Sequence, residues 1–352
     1  MLYFSAPPNR DMVISENMSR SLHIAALVLF ALTAPASAAD KVTVAVNRLS
    51  AGAPLYIAKD KGFFAAEDLD VALMHLTSSQ AIGLAVAAGD AQFGMTAVTA
   101  GIYTMAGKGA LKMIAGGYEE HPGFHGVALV VNKAAWDRGL KTPADLAGKR
   151  IAITAVGSGS HNQLARLAAK HGFKYQDMQL LPLQTLANEV SAVKGGQVDA
   201  TPVPATLAKE LENSGAAKII AWMGDEVPTQ FGGLFATPQT ADRRRALVAR
   251  FVRAYVKAIA YYDAAVQRRD ADGRAIRGEA YDEVIRIVAQ HTGEPVAALA
   301  AALPYFNPQA RLQVDDIAEQ IDVYKALGLV DAALAVDAVL DRSFVPASTM
   351  VR

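Results

Sequence analysis

The stretch AVGSGSHNQL, residues 155–164, lies between a β-branched segment, RIAIT, and an amphipathic helical pattern, LARLAAKHGF, that stops at Gly172. A glycine-serine turn joining a strand to a helix offers free backbone N–H groups and the positive end of a helix, which together suit a negative group. A dinucleotide fingerprint requires G-x-G-x-x-G, but Asn162 stands where the third glycine belongs. A phosphate loop requires a Gly-Lys-Ser/Thr ending, and none follows. Two readings remain. Ser158 or Ser160 caps the helix while the glycines permit the turn. Alternatively Ser158, Gly159, Ser160 and His161 hold the polar or anionic head of a ligand, with His161 adding a hydrogen bond and, when protonated, a charge. The residues themselves leave both open.

A second polar cluster is GGYEEHPGFHG at 116–126. His121, His125, Glu119 and Glu120 are metal-ligand types, but Pro122-Gly123 breaks the helix that would bring both imidazoles together. A hinge loop is the simpler reading, with Tyr118 or Phe124 covering a ligand. Trp222 and Phe231 read as core residues, and Arg243-Arg244-Arg245 as a solvated helix face. No nucleophile–base or acid–base pair stands out. The chain has no cysteine, which removes thiolate catalysis and cysteine–zinc sites. The expectation is therefore no catalytic residue, no metal and no cofactor.

The elements that would position these residues alternate. Strands are expected at 41–46, 70–76 and 91–97, with helices in 54–68, stopping near Gly62, and at 79–90, and a further helix and strand carry the chain to Gly117. A second series runs from strands at 126–133 and 150–156 through the helix after His161 to AKIIAW. An apolar strand follows at 232–239. A long helix over 240–269 buries Leu247, Val248, Phe251, Val252, Tyr255 and Ile259 on one face. Such β-α-β order implies parallel sheets covered by helices. At 352 residues, two lobes are expected.

Lys+Arg and Asp+Glu number 34 each, so the chain carries no basic excess for nucleic acid. Leu22 to Leu32 forms an apolar run of secretory length, and Ala36-Ser37-Ala38 fits a small-x-small cleavage site, so residues 1–38 read as a signal peptide. Pro7, Pro8 and Glu16 are out of place before such a signal, which makes Met18 a candidate start. A cleaved signal with no lipidated cysteine implies a freely diffusing periplasmic protein.

Several stretches carry a family resemblance. APLYIAKDKGFFAAEDLDVAL, LAVAAGDAQFGMT, LKTPADLAGKRIAITAVGSGSH and AVKGGQVDATPVPA together resemble the solute-binding proteins of ABC importers, in the nitrate/taurine/sulfonate and thiamine-pyrimidine (NMT1-like) branch. The likeness spans nearly all of 40–340. It implies a two-lobed α/β periplasmic-binding-protein fold, each lobe a mostly parallel sheet flanked by helices. Lobe 1 is expected over 39–126 and 229–352, and lobe 2 over 127–228. Ligand contacts implied by the family, at the strand ends that open α/β sheets also favour, are Asn47, Ser50, Thr77, Ser78, Ser79, Gln80, Thr96, Ser158, Ser160, His161, Thr201 and Pro202. Tyr118, Gly159 and Gln230 join them as candidates. The near-absence of charge in this set argues against a single specificity-setting salt bridge. The implied protein is a non-catalytic monomer that captures a small polar or anionic solute and delivers it to a membrane permease with its ATPase. The alternatives are an enzyme of the same fold, of pyrimidine-synthase or menaquinone-pathway type, and a binder of a neutral pyrimidine precursor.

Overall fold

The computed structural model describes residues 1–5, 38–272, 274–301 and 303–348. The apolar run Leu22–Leu32 and most of the expected signal segment lie outside the described residues. Contacts separate Met1–Ala39 from a compact unit, Asp40–Arg352, and everything below concerns the latter.

In chain order the strands are β1 (Asp40–Val46), β2 (Leu69–His75), β3 (Phe93–Ala97), β4 (Lys112–Gly116), β5 (Tyr118–Glu120), β6 (Val127–Asn132), β7 (Arg150–Ile153), β8 (Gln179–Pro182), β9 (Ala200–Pro204), β10 (Ala217–Trp222), β11 (Thr229–Gln230), β12 (Gly232–Ala236) and β13 (Tyr305–Phe306). The helices that matter for the cleft are α1 (Ala53–Asp60), α2 (Ser79–Ala88), α3 (Ala100–Gly107), α4 (Gly159–Lys170), α5 (Leu186–Lys194), α6 (Ala205–Asn213), α7 (Arg245–Tyr262), α8 (Tyr281–Thr292) and α9 (Val314–Ala326).

The two large sheets share one topology. The first runs β2-β1-β3-β12-β4 and the second β8-β7-β9-β6-β10. In each, four strands are parallel and the fourth in order, β12 or β6, is antiparallel to both its neighbours. That strand is the one the chain enters directly after passing between the sheets. The passages themselves pair: β5 and β11 are antiparallel, Thr229 opposite Glu120 and Gln230 opposite Glu119, with β13 on the other edge of β5. Because the parallel strands of a sheet share a direction, the helices that follow them start along one edge of it.

Helix α7 covers the first sheet. All six residues of its expected apolar face are buried, and Phe251 stacks on Phe93 with ring centroids 4.0 Å apart. The 240–269 helix differs from expectation by breaking at Arg244, where φ −117° and ψ 36° leave the helical region. The helix expected in 54–68 ends at Asp60, close to the stop expected near Gly62. In the second sheet the antiparallel strand β6 is buried along its whole length, as its unbroken apolar sequence requires. Arg243, Arg244 and Arg245 are exposed, as a solvated face should be.

Candidate functional site

Between the sheets lies a cleft of about 740 Å³. Its walls are the starts of helices. Ser78 caps α2 by accepting the Ala81 N–H, Thr99 caps α3 through Ile102, Ser158 caps α4 through His161, and Thr185 caps α5 through Asn188, each at 3.2 Å. All four capping residues line the cleft, as do Pro204 and Ala205 at the start of α6. Each helix contributes about half a positive charge at this end, so the cleft is electropositive before any ionised side chain is considered.

The chemistry of the opening stretch is now resolved in part. Ser158, not Ser160, is the cap. Gly157 adopts φ +80°, which favours glycine, and a Cβ there would lie 2.9 Å from the Ala100 Cβ. Gly157 O accepts the Ala100 N–H at 2.9 Å, Ser158 O accepts the Tyr324 hydroxyl at 2.8 Å, and a Cβ on Gly159 would meet the Phe231 ring. The glycines therefore admit residues of the opposite half rather than a ligand. Ser160 is partly exposed and lines the cleft.

Asn47, Ser50, Thr77, Ser78, Ser79, Gln80, Tyr118, Ser158, Gly159, Ser160 and Pro202 all border this cleft. Four expected residues do not. Thr96 is buried behind it, donating to Ser79 Oγ at 2.8 Å and to Asn47 Oδ1 at 3.2 Å. Thr201 donates to Ala152 O and Glu189 inside the second sheet. Gln230 is buried at the crossing, where its Oε1 accepts the Gln313 N–H. His161 turns inward. Its Nδ1 accepts the Gly157 N–H at 2.9 Å, and burial lowers its pKa, so it stays neutral where a charged role was expected.

The lining also includes residues the sequence reading left out: Arg48, His75, Thr154, Gln184, Glu120 and Phe231. Phe231 was expected in the core but is half-buried on the cleft wall, tilted against Tyr118 at 5.5 Å. Arg48 brings a full charge, and Glu120 a buried carboxyl that burial pushes up to about 8, to a site expected to be nearly free of ionisable groups. The only sequence signal for Arg48 was its place between Asn47 and Ser50. Burial, then Arg48, lowers the pKa of His75. Phe124, the other candidate cover, instead packs on Tyr305 and under the Arg269 guanidinium. His121 Nδ1 lies 3.0 Å from Pro122 O, while His125 stacks on Trp222 at 3.9 Å, so the two imidazoles have separate partners. Among the described residues no cluster of three metal-ligating side chains occurs.

Two sheets of matching topology, joined by paired crossings around a cleft of helix starts, define a periplasmic-binding-protein fold. The chain belongs to the NMT1/THI5-like family, whose model matches residues 50–265. It is similar to the alkanesulfonate-binding protein SsuA from Xanthomonas axonopodis pv. citri, solved with MOPS (22% identity, TM-score 0.67, 86% of this chain and 99% of that one). The periplasmic nitrate-binding protein NrtA from Synechocystis PCC 6803 also matches (14%, TM-score 0.68, 86% of each chain). So does the desulfurization enzyme DSZB (15%, TM-score 0.57, 87% and 97%), which shows that the fold also houses an enzyme. No curated protein sequence matches the chain.

Proposed function

We propose that this protein is the substrate-binding component of an ABC importer, capturing a small polar or anionic organic solute and passing it to a membrane permease and its ATPase. The observation that carries the reading is the convergence of helix starts on one cleft, with Arg48 on its wall and the hydroxyl and amide residues Thr77, Gln80, Ser160 and Gln184 lining it. A negative head there meets several partial positive charges at once. Export of the chain to the periplasm, and action as a monomer, belong to the same reading.

The residues 39–126 with 229–352, and 127–228, act as two lobes. The β5–β11 pair is the place where they bend, since the chain passes between the two sheets at these paired short strands. Closure brings Asn47, Thr77, Ser79 and Gln80 toward Ser160 and Gln184 around the solute.

The test is a melting series with alkanesulfonates, nitrate, aromatic carboxylates and pyrimidines. A solute that binds only the folded state at one hundred times its Kd adds about 2.7 kcal/mol of stability. The reading expects a rise of several degrees with at least one anionic class. A rise with neutral pyrimidines alone overturns the anionic assignment, and turnover of any bound compound overturns the receptor assignment.

A further inference from the structure

Helix α9 falls in the first lobe, yet it lies along α4 of the second. The two helices meet at three polar ties, each one turn from the next. The Tyr324 hydroxyl donates to Ser158 O at 2.8 Å, Asn162 Nδ2 donates to Gln320 O at 3.1 Å, and Arg166 Nη1 donates to Asp316 Oδ1 at 2.9 Å. Positions 158, 162 and 166 thus meet 324, 320 and 316, which is the register of antiparallel helices. Ser158, Asn162, Asp316, Gln320 and Tyr324 are all buried, so water competes little for these bonds.

The two ends of this seam are anchored differently. At the Arg166 end, Asp316 Oδ2 accepts the Thr229 hydroxyl at 2.9 Å and the Gln230 N–H at 2.7 Å, and Gln320 Nε2 donates to Gln230 O at 3.0 Å. Thr229 and Gln230 form β11, at the proposed bend. At the other end Gly157 and Ser158 line the cleft. There the Tyr324 hydroxyl and the Ala100 N–H, which donates to Gly157 O at 2.9 Å, tie them to the first lobe. Ser158 and Arg166 are about 12 Å apart along the helix. A rotation of about 15° pivoting at the Arg166 end carries the cleft end about 3 Å, enough to break the bonds there and leave the Arg166 tie whole.

We infer that the α4–α9 seam is a clasp between the lobes: it parts from the Tyr324 end, pivots on Arg166 and Asp316, and its hydrogen bonds favour the closed cleft with or without solute. This rests on the two-lobed receptor proposed above. Neither Tyr324 nor Asn162 lines the cleft, so both act on affinity through the closed fraction, by which the intrinsic dissociation constant is divided.

The test places spin labels on Lys108→Cys in the first lobe and Ser191→Cys in the second, both exposed and outside the cleft, in a chain with no cysteine of its own. Inter-label distances are measured in buffer and with excess hexanesulfonate, beside calorimetry with the same probe. Tyr324→Phe combined with Asn162→Leu should add a longer distance in buffer, which excess hexanesulfonate removes. The same pair should weaken hexanesulfonate binding by about threefold or more. Tyr255→Phe is the control. It removes a buried tyrosine bond, to Gly116 O at 3.1 Å, within the first lobe alone, and should lower the melting temperature without changing distance or affinity. A double variant whose distances in buffer match wild type overturns the clasp, and so does a control that lengthens them as much. Binding of hexanesulfonate while no protein shows a second distance overturns both clasp and bending and leaves capture standing. Where hexanesulfonate does not bind, that failure bears on the solute class, and the distances in buffer alone decide the clasp.

Discussion

The turns after β1 and β7 occupy the same place in two sheets of the same topology, yet they are held differently. The first, Asn47–Gly52, is anchored within its own half. Asn47 Nδ2 donates to Leu76 O at 2.9 Å, its carbonyl accepts the Tyr56 hydroxyl, and the Ser50 N–H donates to Glu294. Arg48 is left exposed on the cleft wall. The second turn, residues 154–160, is fastened to the opposite half by Ala100, Phe231 and Tyr324. A turn that must meet foreign backbone requires glycine, while one anchored at home can carry a long charged side chain. A Gly-Ser-Gly-Ser sequence at a cleft is therefore as much a sign of inter-sheet packing as of ligand binding.

The largest effect should come from the fastening under α4. Arg166 reaches Asp316 on α9 at 2.9 Å, and the other Asp316 oxygen accepts from Thr229 Oγ1 and the Gln230 N–H. Asp316 is buried and Arg166 mostly so, with side-chain exposures of 1% and 11%. Asp316→Ala leaves Arg166 with only the more exposed Glu319, 3.2 Å away, as a charged partner and takes the acceptor from Thr229 and the Gln230 N–H, so it should cost about 3–5 kcal/mol in urea unfolding. Glu294→Ala under the first turn removes one acceptor from the Ser50 N–H and should cost about 1–3 kcal/mol. Equal losses would mean that the two turns are held alike.

Much of this was legible in the sequence, and the misses share a cause. The strand–helix alternation, the buried face of α7 and the serine cap of α4 follow from periodicity and capping residues. Thr96, Thr201, His161 and Gln230 were placed in the cleft, yet each has a chain neighbour that does line it: Ala97, Pro202, Ser160 and Phe231. Along a strand, successive side chains face opposite ways, and on a helix one residue turns the direction by about 100°. Family likeness and strand-end rules fix a position to within a residue, but facing in or out is decided by that one residue. Arg48 was missed through the same tolerance. The cross-links to α9 were illegible because Arg166 and Asp316 are 150 residues apart.

A middle-sized effect separates the halves by pH. Burial raises Glu189, behind the second sheet, to about 8, and Glu119 at the crossing to about 7, from ordinary values near 4.5. The folded state then holds protons that the unfolded chain has released. Stability from these groups is full below about pH 4.5 and is lost as pH rises through 7 to 8. Glu189→Gln removes one such proton and can still pair with Thr201. It should gain about 1–3 kcal/mol over wild type at pH 9, an order-of-magnitude figure, and nothing at pH 4.5. Denaturant midpoints at the two pH values read this directly, and a parallel pair of curves would show that Glu189 is not what loosens the second half.

The smallest effects bear on the second turn itself, where two serines two residues apart do different work. The Ser158 hydroxyl accepts the His161 N–H and caps α4, so Ser158→Ala should cost about 1 kcal/mol of ligand-free stability. Affinity for the solute should then change little, because the Ser158 carbonyl, not its side chain, ties the turn to Tyr324. Ser160 lies one step inside the helix, facing the cleft and taking no part in the cap. Ser160→Ala should leave stability within about 0.5 kcal/mol, as surface substitutions do, and weaken solute binding by about 0.5–3 kcal/mol, the upper end applying to a charged head. Melting and calorimetry on the two variants thus move in opposite columns. If Ser160→Ala binds like wild type, the second turn only joins the halves, and the anionic head must rest on the turns of the first half, beside Arg48 and the start of α2.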